Sequence, residues 1–76
     1  MLANMEELVR IRFAGDMQCI VTDHIADARR LMLHFLARRI IFAHESLEGY
    51  YYFFIPEHID LDSIRSKLLN IRFSIE

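Results

Sequence analysis

Six consecutive bulky residues, Tyr50-Tyr51-Tyr52-Phe53-Phe54-Ile55, constrain this chain more than any other feature. The run has strand length, and Pro56 ends it. It has no polar side. A strand with one wet face alternates apolar and polar residues, whereas a strand covered on both faces reads as a continuous apolar run. Either this segment lies inside a sheet, or one of its faces meets another molecule. It is also far short of the roughly 18–20 apolar residues that span a bilayer.

The remaining elements follow from periodicity. Leu8 to Phe13 alternates, with Val9, Ile11 and Phe13 on one side and Arg10 and Arg12 on the other, which predicts a strand. Gly15-Asp16 suits a two-residue type II′ turn into a return strand, Met17 to Thr22. That turn sets Arg12 opposite Cys19, Ile11 opposite Ile20 and Arg10 opposite Val21. Asp23 then reads as the cap of a helix reaching about Arg39. Its core stripe is Ile25, Ala28, Met32, Phe35 and Leu36, with Asp23, Asp27, Arg30, His34 and Arg38 opposite. Asp27 and Arg30 are three apart and within pairing reach.

Ile40 to Glu45 reads as a third strand and Tyr50 to Ile55 as a fourth. Between them Ser46-Leu47-Glu48-Gly49 forms a turn, with Glu45 opposite Tyr50. Asp60 caps a second helix, and Ile59 and Ile64 occupy the two positions of a hydrophobic staple around it. Leu61, Ile64 and Leu68 give this helix an apolar face, and Asn70 ends it. Ile71, Phe73 and Ile75 alternate into a last strand. The whole is a single α+β domain over residues 1–76, with 1–5 as a frayed start. Its order is ββαββαβ, with a mostly antiparallel sheet of four or five strands and two helices on one face.

Residues 17–76, read as βαββαβ, resemble the ferredoxin-like order with one added N-terminal strand. The run Arg39-Ile40-Ile41-Phe42-Ala43, followed by Leu47-Glu48-Gly49, resembles the middle of ubiquitin-like proteins and implies a β-grasp sheet as the alternative. That second likeness carries no conjugating role, because Ser74-Ile75-Glu76 stands where such proteins carry Gly-Gly.

A chain of 76 residues buries only about 60% of its unfolded surface, so burial against a partner adds stability that its own core lacks. Apolar residues are 54% of the chain, well above disordered compositions. Cys19 is the only cysteine, which rules out an internal disulfide and favours a reducing, cytoplasmic setting. Residues 1–10 contain Glu6 and Glu7 and no apolar signal-peptide core.

If Glu45 faces Tyr50, then Ile40, Phe42, Tyr51, Phe53 and Ile55 share the core face. Ile41, Ala43, Tyr50, Tyr52 and Phe54 share the other, together with Arg10, Arg12 and Arg72. An apolar patch rimmed by arginine is the composition of an interaction surface. The expectation is a non-enzymatic protein–protein interaction module: a self-associating adaptor, or an inhibitor or regulator of a larger protein. Its contact residues would be Arg10, Arg12, Ile41, Tyr50, Tyr52, Phe54 and Arg72. The alternative is single-stranded nucleic-acid binding through the same aromatic and basic face, which the net charge of −2 disfavours.

No cofactor or metal is expected. His24, His34, His44 and His58 show no ligand spacing, and there is no second cysteine. Cys19 sits on a predicted strand, without the helix N-terminus or cationic pocket that activates a thiol. Asp60 is better explained by capping than by acid–base chemistry, and no Gly-rich phosphate loop occurs.

Overall fold

A computed structural model describes residues 15–76 of the chain. The elements are β1 (Met17–Thr22), α1 (Ile25–Ala37), β2 (Ala43–Leu47), β3 (Tyr50–Pro56), α2 (Leu61–Lys67) and β4 (Ser74–Ile75). The strands form one sheet in the order β2-β3-β1-β4, and every neighbouring pair is antiparallel. This is the α+β class that the sequence predicts. Within the described residues the connectivity is a split βαβ arrangement, the first of the two orders the sequence leaves open. The predicted strand Leu8 to Phe13 lies outside the described residues. At Ile20 and Val21, β1 meets β3 on one edge and β4 on the other, so the expected pairings with Ile11 and Arg10 find no edge there.

The aromatic run becomes β3, with β1 and β2 paired on its two edges. Its hairpin with β2 is tighter than predicted. Leu47, not Glu45, faces Tyr50, and Glu45 faces Tyr52. Glu48 (φ 53°) and Gly49 (φ 83°) both take positive φ, the signature of a type I′ turn whose twist suits a hairpin. The register moves by two residues. A shift of two preserves the faces, where a shift of one would have reversed them. Phe53 and Ile55 accordingly lie in the core, with Tyr51, Ile40 and Phe42 packed against it.

Both helices cover that same face. The core joins Ile20, Phe53 and Ile55 of the sheet to Ala28, Leu31 and Phe35 of α1 and Ile64 of α2. Phe35 meets Phe53 and Phe42 at ring separations of 5.7 and 5.5 Å, within the range of favourable aromatic pairs.

Three local features of α1 differ from the sequence expectation. His24, not Asp23, holds the cap position, and it makes no side-chain cap. The Asp23 carboxylate turns instead to the His24 ring (3.1 Å), and the His24 amide donates to the Thr22 hydroxyl oxygen. The helix is rotated: its buried residues are Asp27, Ala28, Leu31, His34 and Phe35, while Ile25 and Leu36 face solvent. Its end is a Schellman motif, with Ile40 N–H donating to the Phe35 carbonyl (2.9 Å) and Arg39 N–H to the Leu36 carbonyl (3.2 Å). Arg39 occupies the left-handed position (φ 55°) where glycine is usual.

The second helix matches its prediction closely. Asp60 caps it by accepting from Asp62 N–H (3.0 Å), Ile64 is buried, and Ile59, Leu61 and Leu68 pack on the core. Asn70 takes positive φ (59°) after the helix end. The last strand is shorter than predicted, holding only Ser74 and Ile75. Arg65 lies over the Phe73 ring (4.2 Å) and donates to the Phe73 carbonyl, which fixes the segment before β4 without sheet pairing.

Candidate interaction surface

The rotation of α1 decides what this protein shows to its surroundings. Seven of its thirteen positions carry Ile, Leu, Met, Phe or core Ala, more than one core-facing arc holds. The arc that turns inward contains Asp27 and His34. The surplus arc turns outward: Ile25 is 52% exposed, Leu33 66% and Leu36 58%.

A counter-charge makes the inward arc affordable for Asp27, which is 3% exposed. Arg72 Nε donates to Asp27 Oδ2 (2.9 Å), and Arg30 Nη1 approaches Oδ1 (3.3 Å). Arg30 Nη2 also donates to the Leu69 carbonyl (2.7 Å). Burial alone raises the Asp27 pKa, but the hydrogen bond and charge of Arg72, then those of Arg30, outweigh it and hold the carboxyl below its ordinary 3.8. His34, 6% exposed, is held below its ordinary 6.5 by burial first, then by the charges of Arg38 and Lys67. Its ring packs edge-on to Phe35 at 5.9 Å.

The outward arc is flanked by two hollows. One of about 220 Å³ lies between α1 and the sheet, lined by Ile25, Ala28, Arg29, Met32, His44 and Tyr51 among others. The other, of about 570 Å³, is lined by Leu36, Arg39, Ile40, Ile41 and Phe42. Ile25, Met32, Leu33 and Leu36 therefore form a strip that follows α1 beside β2, which is an edge of the sheet among the described residues, and continues into Ile41.

The residues expected to form one aromatic and basic sheet face are distributed differently. Arg10 and Arg12 lie outside the described residues. Phe54, opposite Cys19 on one side and Ala43 on the other, is 1% exposed and is a packed residue, not a surface one. Tyr52 is half-buried; burial, then the charge of Glu76, pushes its phenol above 10.0. Tyr50 is exposed at the start of β3. Arg72 turns to Asp27 on α1 and does not extend the sheet face, although it and Tyr50 both line a cavity of about 250 Å³ with Val21, Thr22, His24 and Ser74. Ile41 is exposed, but beside Leu36.

Ile25, Leu33 and Leu36 were missed as surface residues because Ile25 and Leu36 fit a helical core stripe equally well. The available signal was the excess of apolar positions on one helix. Among the described residues, no group of three His, Cys, Asp or Glu side chains converges as a metal site, and no helix is long and apolar enough to cross a membrane. Comparisons with protein-family models, with curated proteins and with solved structures each found no match for this chain.

Proposed function

We propose that this chain is a small, non-enzymatic protein–protein interaction module, a regulator or inhibitor of a larger protein. Its docking surface is the strip Ile25, Met32, Leu33, Leu36 and Ile41. The observation that carries this reading is the exposure of three large aliphatic residues along one side of a single helix, between two hollows. A contiguous apolar strip is costly to leave in water and is the usual mark of a partner site.

The test is binding to a displayed pool of amphipathic helical peptides of roughly 15–20 residues with randomised flanks. The reading expects binders that are lost in the Leu33→Glu, Leu36→Glu double variant, whose unfolding midpoint stays that of the parent. A pool that yields no binder, or binders indifferent to the double variant, contradicts it.

The cavity holding Tyr50 and Arg72 favours one second reading, single-stranded nucleic-acid binding, with Tyr50 stacking on a base and Arg72 near a phosphate. That reading expects affinity for mixed oligonucleotides that falls steeply with salt. No binding at low salt removes it.

A further inference from the structure

We infer that the strip on α1 takes an acidic amphipathic helix from a different protein. This inference rests on the strip being the docking surface. Between Ala28 and His44 the chain carries Arg29, Arg30, Arg38 and Arg39 and not one Asp or Glu. Asp27, the one acid within α1, is buried and already faces two guanidinium groups. The chain as a whole is net negative at −2, whereas α1 and the segment that follows it to Ala43 hold four arginines and one buried acid.

The arginines are placed to read a helix lying along the strip. Arg30 is spent on Asp27 and the Leu69 carbonyl, whereas Arg29, Arg38 and Arg39 are exposed. Arg29 lines the smaller hollow beside Ile25 and Met32, and Arg39 lines the larger beside Leu36 and Ile41. Each apolar hollow therefore has an arginine in its lining. Ile25 to Leu36 spans about 16 Å of helix, or three turns. A partner helix of similar length seats large apolar side chains at i, i+4 and i+7 along it. Carboxylates flanking that apolar row would meet Arg29 toward one end and Arg39 at the other.

The same charges argue against a second copy as the occupant. A two-fold contact through this strip sets the same arginine-rich surface against itself, with no exposed acid on α1 to answer it. The complementary surface belongs to a partner rich in Asp or Glu.

The test uses the full chain and a displayed pool of amphipathic peptides with one apolar row and flanking positions drawn from Glu, Lys and Ser. Binders enriched in Glu are expected. They should bind about tenfold or more weakly to an Arg29→Glu, Arg39→Glu variant, and that variant should in turn select Lys-flanked peptides. Binders that depend on Leu33 and Leu36 but show no acidic bias overturn this inference and leave the interaction module standing. A pool with no binder overturns both. Vesicles of phosphatidylserine and phosphatidylcholine are the second arm: binding to them that depends on Arg29 and Arg39 and exceeds peptide binding also overturns the inference, in favour of a membrane surface.

Discussion

Arg72 Nε lies 2.9 Å from Asp27 Oδ2, a bond between residues 45 apart that ties the segment before β4 to the first turn of α1. The carboxylate is buried, while both guanidinium groups keep contact with water. Removing the carboxylate frees two arginines that water readily receives. Removing the arginines strands a buried charge, which is the more costly case. Asp27→Asn should therefore destabilise by about 1–2 kcal/mol, and the Arg30→Gln, Arg72→Gln double variant by about 3 kcal/mol. Urea unfolding of the two variants checks the order, and equal losses contradict it.

The same cluster sets an acid limit. The Asp27 pKa is depressed in the fold, so its contribution is fully present above its unfolded value near 3.9 and is lost as pH falls through the lower folded value. Thermal melts from pH 5 to pH 2 should show this loss in the parent and less of it in Asp27→Asn. Parallel curves exclude the cluster as the cause.

His34 acts at milder pH. Its folded pKa also lies below the unfolded 6.5, so the unfolded chain takes up the proton first. The stability of neutral His34 is present above pH 6.5 and falls away as pH drops toward the folded value. His34→Gln should flatten the stability profile between pH 7 and pH 5. An unchanged slope there contradicts a buried neutral ring.

Arg39 holds a left-handed conformation that costs an L-residue roughly 1 kcal/mol or more. Glycine removes that strain and gives back part of the gain as chain entropy in the unfolded state. Arg39→Gly should raise stability by about 0.5–1 kcal/mol, read as a higher urea midpoint with an unchanged slope. A lower midpoint means that Arg39 makes a contribution greater than its strain.

Phe54 and Leu33 separate core from surface by exposure alone. Phe54→Ala should cost about 3–5 kcal/mol, a large part of the roughly 4–11 kcal/mol expected of a domain this long. Leu33→Ser should stay within about 0.5 kcal/mol of the parent. A near-neutral Phe54→Ala returns Phe54 to the surface and revives the aromatic sheet face.

The elements of this fold were legible because each carries a local signal. Asp60 with Ile59 and Ile64 announced α2, and the unbroken run from Tyr50 to Ile55 announced a strand, but not its place in the middle of the sheet. The orientation of α1 was not legible, because its apolar residues fit two overlapping arcs. The choice between them depends on Arg72, which neutralises Asp27 from the far end of the described chain. Nothing near Asp27 in sequence predicts that. The tighter β2–β3 turn was missed because Glu48 takes a positive φ that Glu rarely adopts. The short β4 reflects Asn70 and the Arg65–Phe73 contact, which fix residues before it outside the sheet.

Amide chemical-shift mapping with the tightest-binding peptide of the displayed pool tests most directly where this protein meets its partner. The largest perturbations are expected at Ile25, Arg29, Met32, Leu33, Leu36 and Ile41, along one side of α1. Perturbations centred instead on Val21, Tyr50 and Tyr52 would contradict this and assign binding to the face of the sheet away from the helices.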